Sequence, residues 1–269
     1  MAVYIDEKID LIQRAQRKQP FQMPTSHFHN KHELYFLESG KTKYVVGSEI
    51  YLLSPGDMVF IPKETFHKTS GEKGLSSERV LLVFDDDFVG DEYKEYVDEL
   101  ISNKFIRLPE EHIYKIKELL RKIEGEGRHI FPDYSQMQKL YLRELLIMIS
   151  RHRKKKVSTK YSPSISIIQD AAKFISENYA SNITLSSISK KYAMSTSYFS
   201  KQFKSVTGVG FNEYLNIIRV TASEKLLISS NKPITKIAME CGFNDSNYYA
   251  AVFKKIKGIT PKKYSLENR

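Results

Sequence analysis

The apolar positions of this chain change their spacing twice. Residues 27–37, 42–46, 49–53, 58–61 and 78–84 are short runs rich in β-branched and aromatic side chains. They are punctuated by Gly40, Gly47, Pro55-Gly56, Pro62 and the glycines at 71 and 74. Closely spaced short strands with turn residues between them predict a small barrel or double-sheet jelly roll. From Pro109 the spacing becomes helical, with Ile113, Ile116, Leu119, Leu120 and Ile123 on one face. After a predicted break over residues 125–132, a second helix carries Met137, Leu140, Tyr141, Leu145, Met148 and Ile149. Its broad apolar stripe suits burial against the barrel and against a partner subunit.

The last third of the chain writes one pattern twice. Leu185, Ile188, Met194, Ser195, Tyr198, Phe199, Phe203, Lys204, Gly208, Phe211 and Tyr214 match Ile234, Ile237, Phe243, Asn244, Tyr248, Tyr249, Phe253, Lys254, Gly258, Pro261 and Tyr264. The offset is 49 up to the turn and 50 after it, so the second turn carries one extra residue. Each copy reads as a helix-turn-helix, whose second helix is shaped for a major groove. An amphipathic helix over 165–179 precedes the first copy. Thr184 or Asn182 caps the next helix, Ser195 caps the recognition helix 196–206, and Asn244 is the expected cap of its second counterpart.

In the first recognition helix Phe199 and Phe203 turn inward. Ser197, Ser200, Lys201 and Lys204 are left to meet DNA. In the second, Tyr249 and Phe253 pack, leaving Ser246, Asn247, Ala250 and Ala251 outward, with Lys254 and Lys255 placed for phosphates. Residues 211–229 form one predicted helix between the copies, a ~28 Å rod. That approaches the ~34 Å between successive major-groove faces.

Charge divides the same way. Residues 151–269 hold 21 Lys and Arg against 7 Asp and Glu, a balance of +14, whereas residues 1–150 hold 21 against 25, a balance of −4. The basic half is the candidate for a polyanion. The single cysteine, Cys241, excludes an internal disulfide and occupies an apolar position of the repeat. No leader and no long apolar run is visible, which predicts a cytoplasmic protein without a membrane partner.

On these motifs, residues 165–269 resemble the DNA-binding domain of the AraC/XylS family of bacterial transcription regulators. The stretch from Ile234 to Tyr264 is similar to that family's signature nearly end to end, and Arg219 with Leu226-Leu227 matches its linker helix. The resemblance implies base-facing roles for Ser197, Ser200, Lys201, Ser246, Asn247, Ala250 and Ala251. Ala251 stands where the family often has Arg. A methyl group contacts only a thymine methyl, so more specificity is expected from the first helix.

In the N-terminal half, His27-x-His29-x3-Glu33-x6-Gly40 is followed by Gly56-x5-Pro62-x4-His67. Residues 27, 29, 33 and 35 share parity in a strand and face one side if no bulge intervenes. Three imidazoles and a carboxylate make a reasonable shell for a divalent metal. The spacing resembles both cupin motifs, departing at Glu64, where a cupin usually has Gly, and at Gly71. Two expectations compete. One is a metal-loaded cupin, either an enzyme or a metal sensor. The other, favoured because AraC-type sensor domains share the cupin fold and usually lack metal, is an effector pocket lined by His27, His29, Glu33, Tyr35 and His67. Tyr35, Tyr44 and Phe60 are candidates to stack on a sugar ring. His32 is expected to be exposed and uninvolved.

The chain thus reads as multi-domain. An all-β cupin-like barrel (residues 1–105) is followed by a helical segment (106–152) that dimerises near 134–150, and by a basic linker (153–164). An all-α domain (165–269) completes it, with helix-turn-helix motifs over 185–206 and 234–256. The expected function is a non-enzymatic, dimeric, AraC-type regulator without a resident cofactor, a divalent metal being the competing expectation. Its partners would be promoter DNA, a small-molecule effector and RNA polymerase. The alternatives are a metal-dependent cupin enzyme fused to a DNA-binding domain, and a ligand-independent regulator whose barrel only dimerises.

Overall fold

The computed structural model describes residues 3–4, 11–17, 27–71, 76–129, 131–153 and 163–268, and excludes the side chains of 3, 4, 27, 28, 71 and 129. Among the described residues ten short strands make two five-stranded sheets. The first runs β1 (Val3–Tyr4), β3 (His27–Phe28), β8 (His67–Gly71), β5 (Thr42–Val46), β6 (Glu49–Leu53). The second runs β10 (Phe105–Ile106), β7 (Met58–Ile61), β4 (His32–Ser39), β9 (Ser77–Phe84), β2 (Ile12–Arg17).

Strand parity divides the apolar residues into layers. Tyr35, Leu37, Tyr44, Val46, Tyr51, Val59, Ile61, Leu81 and Val83 fill the space between the sheets. Their neighbours Leu34, Phe36, Met58, Phe60, Val80, Leu82 and Phe84 face the other way, onto helices. Burial of the second sheet on both faces explains why β7 and most of β9 read as continuous apolar runs rather than alternating ones. Phe60 belongs to this outer layer, so it cannot stack on a molecule held inside the barrel.

Those helices are α1 (Asp86–Val89), α2 (Lys94–Ser102) after a 3-10 turn (Asp91–Tyr93), α3 (Glu110–His129) and α4 (Tyr134–His152). Helix α3 continues through Gly125 and Gly127, beyond the break expected at residue 125. Ile116, Leu119, Leu120 and Ile123 pack with Leu142, Leu145, Leu146 and Ile149. Tyr114 on α3 and Leu140 on α4 stay 72% and 54% exposed. Most of the expected linker, residues 154–162, lies outside the described residues.

The C-terminal unit comprises α5 (Pro163–Asn178), α6 (Leu185–Lys191), α7 (Thr196–Thr207), α8 (Phe211–Ser229), α9 (Ile234–Glu240), α10 (Ser246–Lys257) and α11 (Pro261–Glu267). Among the described residues no helix is long and apolar enough to cross a membrane.

The two units dock. Val45, Ile50 and Phe66, on the outer face of the first sheet, join the apolar core of the helical unit. Lys43 Nζ donates to the Ser205 carbonyl at 2.8 Å and Lys68 Nζ to the Gly208 carbonyl at 3.2 Å, so two barrel cations meet the C-terminal end of α7. Burial lowers the pKa of both lysines.

Candidate nucleic-acid interface and sensor site

The repeat folds as two equivalent helix pairs, α6–α7 and α9–α10. Thr184 caps α6 in a reciprocal capping box with Ser187. The Ser195 side chain accepts from the Tyr198 amide at the start of α7. In the second copy the cap is Asp245, not Asn244, and its carboxylate accepts from the Asn247 and Tyr248 amides. The extra residue in the second turn moves the cap one place along, and a carboxylate serves an N-terminus better than an amide.

Both turns pass through the left-handed region at matched positions, Ala193 (φ +52°) and Gly242 (φ +85°). Matching amides close them, Met194 onto Ser189 and Phe243 onto Ala238. Gly208 and Gly258 end the recognition helices in the same conformation. Phe199 and Phe203 are fully buried, as are Tyr249 and Phe253, and this sets the opposite faces outward. Ser197, Lys201, Lys204, Asn247, Ala251, Lys254 and Lys255 are exposed, and Ser200, Ser246 and Ala250 are half-buried. Helix α8 joins the pairs as one 19-residue rod. Arg219 braces that rod: its guanidinium donates to the carbonyls of Tyr179 and Ser181 at 2.9 and 3.0 Å and lies over Phe243.

In the barrel, His29, Glu33 and His67 converge, each buried, with one ligating atom apiece inside a 4.8 Å spread. His29 Nε2 lies 2.7 Å from Glu33 Oε1, and His67 Nε2 lies 3.6 Å from Glu33 Oε2. Each Nδ1 faces a backbone carbonyl, Lys31 for His29 and Thr65 for His67, both at 2.9 Å. Burial opposes charge on His29, but the hydrogen bond and charge of Glu33 outweigh it and raise its pKa. His67, fully enclosed, has its pKa lowered by burial, which outweighs the charge of Glu33.

The donor set fits a divalent metal: two imidazoles pinned through Nδ1 to carbonyls present Nε2 toward one carboxylate. A metal there would replace the direct His29–Glu33 contact and act as a Lewis acid. Tyr44 stacks on His67 at 6.3 Å between ring centres, and Tyr35 meets Tyr44 edge-on at 4.9 Å.

A helix-turn-helix domain model matches residues 188–266 and a cupin domain model matches residues 17–82. The HTH-type transcriptional activator RhaR of Mannheimia succiniciproducens is 21% identical over 253 residues, covering 94% of this chain and 90% of its own. RhaR of Escherichia coli K12 is 23% identical over 241 residues, covering 88% and 86%. Among solved structures, ToxT from Vibrio cholerae aligns over 96% of this chain and 98% of its own, at 16% identity and a TM-score of 0.38. The chain carries an AraC-type helix-turn-helix domain together with a cupin domain. It is a DNA-binding transcription regulator built from a cupin domain and an AraC-type helix-turn-helix domain.

Within this AraC-type regulator several expectations are corrected. The run over 27–37 is two strands in different sheets, β3 and β4, interrupted at residues 29–31. His29 still reaches Glu33, because the interruption turns it back over the start of β4. The side chain of His27 lies outside the described residues, while its backbone pairs with His67. His32 is 1% exposed rather than solvent-facing. It lies between the Asp86 carboxylate (3.1 Å) and the Lys63 amide (3.1 Å), away from the cluster.

Sequence reasoning missed the docking residues altogether. Glu64, which replaces the usual cupin glycine, keeps the left-handed backbone with φ +60°. Its carboxylate pairs with Lys257 at the end of α10, and Lys257 also meets Glu224 of α8 at 3.1 Å. The departure from the cupin pattern was the one signal in the sequence that marked this residue.

Proposed function

We propose that this regulator binds promoter DNA through α7 and α10, and that a small molecule in the barrel controls how the two domains dock. The observation that carries the reading is the pair of equivalent, capped recognition helices with polar and basic residues outward. Ser197, Ser200 and Lys201 on α7 supply most base readout, and Lys204 meets the DNA beside them. Ser246, Asn247, Ala250 and Ala251 give α10 a shallower grip, with Lys254 and Lys255 on phosphates. Apolar Tyr114 and Leu140, exposed on α3 and α4, support a homodimer through that helical layer. RNA polymerase is the partner we assign to the promoter-bound form, and the cytoplasm its location.

His27, His29, Glu33, Tyr35 and His67 form the effector side of the pocket, and the barrel does not catalyse. A ligand acts only through different affinity for two domain arrangements. Here Glu64 links them: its amide donates to the His29 carbonyl at 2.7 Å while its carboxylate holds Lys257. The metal-dependent reading rests on the His29–Glu33–His67 geometry, and a metal held there would bias docking through the same residues.

The test compares Lys201→Ala with Lys254→Ala in full-length protein, on a mismatch series of duplexes. Lys201→Ala should cost about 1–3 kcal/mol and relax preference at one base pair. Lys254→Ala should weaken all sequences equally and lower the salt slope by about 1. Identical patterns from the two variants refute the assignment of roles.

A further inference from the structure

Apart from the histidine cluster, the barrel interior contains a guanidinium that no acceptor fully satisfies. Strand pairing sets Arg79 opposite Ala15 on one side and opposite Leu37 on the other. It therefore shares the inward face with Leu81 and Val83. Arg79 is only 6% exposed. Its Nη2 donates to Gln13 Oε1 at 2.9 Å, while Nε and Nη1 are buried without a hydrogen-bond acceptor. Among the described residues no carboxylate pairs with it.

A second guanidinium, Arg17 of β2, comes close. Burial first and the charge of Arg79 next push the pKa of Arg17 down to about 10. Both cations act on the phenols of Tyr35 and Tyr44. A buried guanidinium with two idle N–H groups is costly to the fold. Its planar fork is the geometry that grips oxyanions.

Resting on the regulator reading above, we propose that the barrel's effector is a small organic anion, its carboxylate or phosphate oxygens accepting from Arg79 Nε and Nη1. Arg17 adds a second positive charge, and the rings of Tyr35 and Tyr44 flank the carbon skeleton. The ligand supplies the negative charge that Arg79 lacks among the described residues. A neutral sugar of the same size leaves that charge uncompensated and is discriminated against.

Glucose, gluconate and glucose 6-phosphate share a skeleton and differ in this one group. Thermal shift and titration calorimetry on full-length wild type and Arg79→Met compare them directly. At least one of the two anions should raise the wild-type Tm while glucose does not. Affinity for that anion should fall at least about 30-fold in the variant, the loss of charge-assisted hydrogen bonds. Without ligand, Arg79→Met should melt no lower than wild type, because it removes a buried, under-satisfied charge.

The proposal is overturned if glucose stabilises as strongly as the anions, if neither anion shifts the wild type, or if the variant responds like the wild type. A ligand-free variant that melts several degrees lower also overturns it, since Arg79 is then a structural brace. Duplex binding by the same preparation separates the two levels. Protein that binds DNA at low salt yet ignores both anions sinks only the anion proposal. Protein that binds no duplex sinks the regulator reading.

Discussion

Replacing Glu64 by Gln and by Gly separates the two features joined in that residue. Its φ of +60° lies where a residue with a side chain pays about 1–2 kcal/mol relative to glycine. Its carboxylate and that of Glu224 share one ammonium, Lys257, whose side chain is 3% exposed. Burial raises the Glu224 pKa, Lys257 opposes the rise and Glu64 adds to it, leaving the group pushed up to about 7. An acid raised in the folded state favours folding while protonated. That stabilisation is fully present below the unfolded value of 4.5 and is lost as pH rises through about 7. The shift corresponds to roughly 3 kcal/mol between those limits.

Scanning calorimetry of the full chain should therefore show Tm falling by several degrees between about pH 6 and about pH 8. In Glu64→Gln, Glu224 faces Lys257 alone, so its pKa drops and the decline between those pH values shrinks. Glu64→Gly should behave likewise in pH while melting higher than the Gln variant at every pH, by about 1 kcal/mol of relieved strain. Superimposable profiles for wild type and Glu64→Gln would refute the docking of Glu64 on Lys257.

Two further predictions concern the turns and the sensor. Gly242→Ala forces a Cβ to within 2.8 Å of the Tyr179 carbonyl oxygen at φ +85°, and should cost about 2–3 kcal/mol in denaturant unfolding. At the matched position, Ala193→Gly should instead stabilise by about 1 kcal/mol, and equal signs for the two would contradict the repeat geometry. His29→Ala removes the partner of Glu33 and should weaken the effector response of full-length DNA binding, with DNA affinity of residues 165–269 unchanged. Loss of a small-molecule turnover with that response intact would favour the enzyme alternative.

The sequence by itself determined the helical repeat, because local forces set it. Phe199, Phe203, Tyr249 and Phe253 recur at helical spacing, Ser195 and Thr184 offer caps, and Gly208 and Gly258 stop the helices, all within one or two turns of chain. The same locality made residues 42–46, 49–53 and 58–61 legible as strands. Strand β2 stayed hidden because its six residues, Ile12 to Arg17, are mostly polar and gain strand form only by pairing with β9. Helix α2 stayed hidden too, since only Val97 and Leu100 anchor its nine residues.

Tertiary structure alone decided which residues share an environment. Aromatic character alone placed Tyr35 and Phe60 together as stacking candidates, but only the two-sheet packing put Tyr35 inside the barrel and Phe60 against the helices. His32 looked solvent-facing until Asp86, 54 residues on, and Lys63 enclosed it. Glu64 and Lys257 stand 193 residues apart, and Arg79 and Gln13 stand 66 apart. Contacts over such separations leave no periodic trace, because they follow from the docking of whole faces rather than from the preferences of neighbouring residues.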